Sequence, residues 1–151
     1  MVTKKAVINA SPLIQLAKLG RLKLLNDFFG SVFIPRAVIG EINDLDITEL
    51  AYEPFDVTNR NAINTLLHPL HIGEAEVIIG AVEHSADFAV LDDLAARNKA
   101  RLLGLDVIGT LGILQRAKKQ GMIYDLERDI IYLRNSGMYI SDSLIKKILS
   151  P

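Results

Sequence analysis

Short apolar runs alternate along this chain with apolar positions at helical spacing. Ala6-Val7-Ile8 reads as a first strand, ending at Asn9-Ala10-Ser11-Pro12. Ser11 is a good N-cap and Pro12 suits the first helical position, so a helix is predicted to carry Leu13, Ile14, Leu16, Ala17 and Leu19 until Gly20 ends it. A second short helix holds Leu22, Leu24, Leu25 and Phe28. Val32-Phe33-Ile34 makes the second strand, and Pro35 opens a helix in which Val38 and Ile42 lie one turn apart. The pattern is least readable over 43–58, where Tyr52 to Val57 forms a short extended stretch. Helices follow over Asn59 to Leu67 and after Gly73, the second with Ala75, Ile78, Ile79 and Val82 at helical spacing. Phe88-Ala89-Val90-Leu91 is the third strand, and Asp92-Asp93 starts the next helix. Leu105 to Ile108 is the fourth strand, and Thr110 caps a helix to about Lys119, stopped by Gly121. Helices near Asp125 to Arg134 and Ser141 to Leu149 complete the chain.

This alternation predicts an α/β fold with a central parallel sheet of about four strands flanked by helices. Its 151 residues suit a single domain over 1–151. In such sheets ligands bind beyond the carboxyl ends of the strands. Asn9 follows the first strand; Pro35-Arg36 and then Glu41 follow the second. Asp92-Asp93 follows the third, and Gly109-Thr110 the fourth. Each strand thus delivers a polar or acidic group to one edge.

Composition narrows the chemistry. Cysteine is absent, which excludes disulfides and thiolate metal sites and is compatible with a cytoplasmic location. No apolar run approaches the ~20 residues of a membrane span, and the N-terminus lacks the pattern of a signal peptide. The net charge of −1 gives no overall attraction for nucleic acid, but the charges are unevenly placed. Glu41, Asp44, Asp46, Glu49, Glu53 and Asp56 fall together, whereas Arg97, Lys99, Arg101, Arg116, Lys118 and Lys119 are opposed only by Asp106. The basic segment is either a set of solvated helix faces or a local phosphate-binding surface.

Carboxylates gathered on one edge repel one another unless a cation or protons join them. His68, His71 and His84 show no metal-binding spacing and read as surface histidines, so oxygen ligands and Mg²⁺ or Mn²⁺ are the expected pairing. Periodicity proposes Asn9, Glu41 and Asp92 or Asp93 as ligands. Each has a structural alternative. Glu41 could face solvent, Asp92 could cap the helix that begins at Asp93, and Asp93 could pair with Arg97 four residues on. Ser11 and Thr110 could be caps. Arg97 and Arg101 share a helix face and could contact substrate phosphate, while Glu76 should face away from Glu74.

The motifs taken in order resemble a known family. Val7-Ile8-Asn9-Ala10-Ser11-Pro12-Leu13-Ile14, then Ile34-Pro35 with Val38 and Glu41-Ile42, is similar to the opening of a PIN-like domain. Gly73-Glu74-Ala75-Glu76, Leu91-Asp92-Asp93-Leu94-Ala95-Ala96-Arg97 and Val107-Ile108-Gly109-Thr110-Leu111-Gly112-Ile113-Leu114 continue the likeness. They resemble the toxin-like, VapC-type branch. The resemblance implies a three-layer fold and metal-dependent RNA cleavage at an acidic cluster. It places the first acid of the family at Asn9, the second at Glu41, the third at Glu74 and the last at Asp92, with Asp93 beside it and Thr110 at a small polar position nearby. It further implies an RNA substrate, a small antitoxin partner and a homodimer, for which Leu13 and Leu16 are candidate interface residues. Asn9 departs from the usual aspartate: its amide oxygen can ligate a cation but brings no charge. Glu74 replaces the commoner aspartate with the same charge one methylene further out. Asn9 also keeps a second function open, that of a module binding RNA or protein with little catalysis.

Overall fold

The computed structural model describes residues 3–151. The strands are β1 (Lys5–Ile8), β2 (Ser31–Pro35), β3 (Glu53–Phe55), β4 (Phe88–Val90) and β5 (Asp106–Ile108). The helices are α1 (Ala10–Lys18), α2 (Lys23–Phe28), α3 (Arg36–Glu41), α4 (Arg60–Leu66), α5 (Ile72–Glu83), α6 (Leu94–Leu102), α7 (Thr110–Lys119), α8 (Leu126–Asn135) and α9 (Asp142–Leu149).

All strand pairings are parallel, in the order β3-β2-β1-β4-β5. The expected sheet of about four strands therefore has a fifth. The stretch predicted as extended near Tyr52 to Val57 is β3, whose Phe33↔Glu53 and Pro35↔Phe55 register places it beside β2 at the sheet edge. An edge strand of three residues carrying a proline leaves little period-two signal, because one side of it needs no ladder partner.

The central strand is the most apolar. Ala6, Val7 and Ile8 are fully buried, as required of a parallel strand covered on both faces. Crossovers in parallel sheets are right-handed. The chain moves one way from β1 to β2 and the opposite way from β3 to β4 to β5, so the connecting helices fall on opposite faces. On one face α5 packs against β1, β2 and β4 and touches α4 and α6; on the other, α1 touches α7, which touches α8. Nearly every residue of α5 is buried, which explains its apolar character all round. Leu13 and Leu16 have no exposed surface, so they belong to the core and cannot form the interface expected of them. Among the described residues no helix is long and apolar enough to cross a membrane.

The end of α1 shows how local sequence and long-range packing meet. Gly20 takes φ +68, and the Gly20 and Arg21 amides donate to the Ala17 and Leu16 carbonyls at 3.0 and 2.8 Å, closing the helix in a Schellman turn. The turn aims Arg21 at α8, where Nε and Nη2 both reach Asp129 Oδ2, at 2.9 and 2.8 Å. Asp129 is buried, and Arg21 holds it more closely than Arg128, whose Nε lies 3.9 Å from Oδ1. Replacing Arg21 with methionine should lower unfolding free energy by about 3 kcal/mol in urea titration, since the buried carboxylate loses its two short contacts and keeps only the distant Arg128. A loss below ~1 kcal/mol would mean that solvent replaces the lost partner, as at exposed pairs.

Candidate active site

The strand order reverses beside β1: strands are added on one side as far as β3 and on the other as far as β5. A crevice opens at such a switch point beyond the carboxyl ends of the strands. Ile8 and Val90 are register partners, and the Asn9 amide donates to the Val90 carbonyl at 3.1 Å. Asn9 and the Asp92 segment are consequently neighbours at the switch point.

Asn9 is the N-cap of α1, two residues earlier than the Ser11 cap predicted from sequence. Its side chain makes no capping bond. Asn9 is only 4% exposed, and its Oδ1 is shut off from solvent without a hydrogen-bond partner. Burying an acceptor unsatisfied costs about 1–3 kcal/mol, so such an atom calls for a ligand.

Ser11 is not a cap because its hydroxyl is engaged elsewhere. Ser11 Oγ donates to Asp92 Oδ2 at 2.7 Å, Thr110 Oγ1 donates to the same oxygen at 2.7 Å, and the Thr110 amide donates to Asp92 Oδ1 at 2.7 Å. Asp92 thereby fastens the first turns of α1 and α7 to the end of β4. Thr110 is fully buried and is the first residue of α7, whose N-cap is Gly109; the predicted Thr110 cap is shifted by one residue. A carboxylate offers about four lone-pair positions, and these three bonds leave Asp92 one.

Asp92 does not take the cap role weighed as the alternative to its ligand role. Asp93, not Asp92, is the N-cap of α6, with Oδ2 accepting from the Ala96 amide at 3.0 Å. Arg97 does not pair with Asp93. Its Nη1 donates to the Leu91 carbonyl at 3.2 Å and it lies near Asp92. Burial lowers the Arg97 pKa, the neighbouring Arg101 adds to this, and Asp92 opposes it. A Cβ on Gly109 would lie 2.9 Å from Asp92 Oδ1 and would crowd the Arg97 guanidinium, so only glycine lets both approach β5. Arg101 is exposed and reaches Asn98 rather than the edge.

The remaining acids meet around the start of α5. His71 is its N-cap: Nδ1 accepts from the Gly73 and Glu74 amides at 3.1 and 3.4 Å, and Glu74 Oε1 accepts from the His71 amide at 3.2 Å. This reciprocal capping box accounts for three of the helix-terminal donors. Sequence reading placed His71 among loop histidines, because histidine is not a preferred cap; the His-x-x-Glu spacing was the available signal. Glu41 comes within 3.8 Å of the His71 ring, and Glu74 Oε2 within 3.5 Å. A side chain on Gly73 would strike the Glu41 carboxylate, so the glycine lets that acid reach the positive end of α5. Glu76 faces away, as expected, and pairs with Arg60 at 3.5 Å.

Burial raises the Glu74 pKa; the His71 amide and ring oppose this, while the charges of Asp93 and Glu41 add to it. Glu41 and Asp93 therefore both act on Glu74, and Asn9 supplies an unpartnered oxygen at the switch point beside Asp92. This donor set suits a hard, oxygen-seeking divalent ion. It is not a closed cage. Among the described residues no group of three or more acidic or histidine side chains is placed to hold an ion, and bare carboxylates repel until a cation joins them.

A family model described as DUF3368: PIN domain matches residues 5–151. The chain belongs to the PIN-domain family. Its fold is shared with a solved PilT N-terminus domain protein from the hyperthermophilic archaeon Sulfolobus solfataricus P2. That protein is 22% identical, with a TM-score of 0.54 over 75% of this chain and 92% of the other. No curated protein matches the chain. PIN domains are generally nucleases and typically use divalent metals.

The raised Glu74 pKa fixes the sign of a pH effect. The folded chain holds the Glu74 proton more tightly than the unfolded chain. Its stabilising contribution is thus full in acid and is lost as pH rises through the folded pKa. Glu74→Gln, which can keep the capping bond, should raise the Tm at neutral pH in EDTA and leave it unchanged below about pH 4. A lower Tm at neutral pH would show that the Glu74 charge is stabilising without a cation.

Proposed function

We propose that this chain is a divalent-metal-dependent endoribonuclease and the toxin half of a toxin–antitoxin pair. The observation that carries the enzymatic reading is the buried, unpartnered Asn9 Oδ1 at the switch point, with Glu74 nearby raised by burial and by like charge. Asn9, Glu41, Glu74 and Asp93 would hold Mg²⁺ or Mn²⁺, and Asp92 would add its remaining lone pair. The bound ion would supply Lewis-acid polarisation of a phosphoryl oxygen and activation of attacking water. The chain itself contributes positioning: Ser11 and Thr110 fix Asp92, His71 fixes the start of α5, and Arg97 offers a cation for substrate phosphate at the Asp92 side. Arg101 stands back from the edge and contributes to the field rather than to contact.

The toxin role, the antitoxin partner, the homodimer and a cytoplasmic setting rest on the resemblance to VapC-type proteins. They have separate tests in growth arrest on expression and in light scattering.

Asn9 favours a second reading, a PIN domain that binds RNA or protein and cleaves weakly. The two are separated by cleavage of single-stranded RNA in Mn²⁺. The nuclease reading expects cleavage that falls at least about tenfold in Glu74→Gln or Glu41→Gln, equivalent to ~1.4 kcal/mol of transition-state stabilisation. It also expects Asn9→Asp to raise the rate if the missing charge limits the site. RNA binding without cleavage in both the parent and Asn9→Asp would leave the binding module as the function.

A further inference from the structure

We infer that the groove between α7 and α9 is a track for single-stranded nucleic acid leading to the acidic edge. This rests on the nuclease reading for its destination but not for its own chemistry. The groove has a volume of about 660 Å³ and runs from Asp92 at the switch point along α7. Val107, Ile108 and Leu111 form part of its floor, and Leu144 and Ile148 of α9 lie across from them. From Thr110 to Lys119 the helix extends about 14 Å at ~1.5 Å per residue. The groove's lining runs along this helix from Leu111 to Lys119.

Its charge is one-sided. Arg97, Arg116, Lys119 and Lys147 line it, and Asp92 is its lone acid. Among the described residues, none of these four cations makes an ion pair. Arg116 rests over the Phe88 ring at 5.4 Å, a contact that holds the guanidinium in place without neutralising it. Cations gathered in one groove without ion-pair partners match a phosphodiester backbone. They also resolve the basic segment found in the sequence: Arg97, Arg116 and Lys119 face this groove, and Lys147 joins them from the end of the chain.

The groove also offers faces for bases. Tyr139 lines it and is 91% exposed, so its ring has no part in the core. Leu94, at the Asp92 end, is 67% exposed. An exposed aromatic above a cationic channel is the arrangement that binds single strands, through stacking on the ring and charge on the backbone. A duplex would present no free base to Tyr139.

The test is anisotropy of a fluorescein-labelled oligouridine in EDTA, so that binding is read without cleavage. Hydrolysis of bis(p-nitrophenyl) phosphate in Mn²⁺ is measured alongside, because that small diester needs the edge but not the groove. With four phosphate contacts the salt slope should be about −2.8 for a single strand, and Lys119→Gln with Lys147→Gln should reduce its magnitude by about 1.4. Tyr139→Ala should weaken binding roughly tenfold. Both variants should hydrolyse the small diester at the parent rate. Unchanged affinity and salt slope in the double variant, with unchanged affinity in Tyr139→Ala, would overturn the track and leave the groove to an acidic peptide added along β5. Loss of oligouridine binding in the variants, with no diester hydrolysis even in the parent, would keep the track and remove the nuclease reading.

Discussion

Strand order reverses beside β1, and that reversal sets where Asn9, Ser11 and Asp92 meet. Helices covering opposite faces of the sheet must part where the connections change direction, and the chain ends of β1 and β4 lie at that parting. Any polar residue placed one to three positions beyond these strands is then brought to a common crevice, whatever its distance in sequence. Ser11 and Asp92, separated by 81 positions, meet at 2.7 Å for this reason.

Helix N-termini do the electrostatic work at the edge. α5, α6 and α7 all begin there, and each presents amide donors to a carboxylate or an imidazole: Glu74 and His71 at α5, Asp93 at α6, Asp92 at α7. The positive ends of these helices offset part of the repulsion among the acids. The offset is incomplete at Glu74, where burial and the charges of Asp93 and Glu41 still hold the pKa up. The site is thus built to gain from a cation. Asn9 adds no charge to this repulsion, because its side chain is a neutral amide.

The sequence revealed most of this architecture because the information is local where it matters. Val7-Ile8 and Ala89-Val90 are buried on both faces and read as continuous apolar runs, so the strands and the groups following them could be placed. β3 was legible only as an extended stretch, since an exposed edge strand with Pro54 has weak periodicity. The helix starts were the least legible. Ser11 and Thr110 have the propensity of caps but are drawn into hydrogen bonds with Asp92, and the cap moves to Asn9 and Gly109. The cap weighed for Asp92 falls to Asp93 for the same reason, a tertiary partner outcompeting a local one. Leu13 and Leu16 look identical to interface leucines in sequence, and only packing against the sheet decides that they are core. The groove depends on Tyr139 and Lys147, whose meeting with α7 no spacing along the chain could disclose.

The most direct measurement is calorimetric titration of the metal-free protein with Mn²⁺, carried out in parallel on Glu74→Gln and Asn9→Asp. Binding that is lost in the first variant and strengthened in the second is the expected result, since one removes a charge from the edge and the other restores it. Binding of equal strength in all three proteins would place the ion elsewhere and contradict the assignment of this edge as the metal centre.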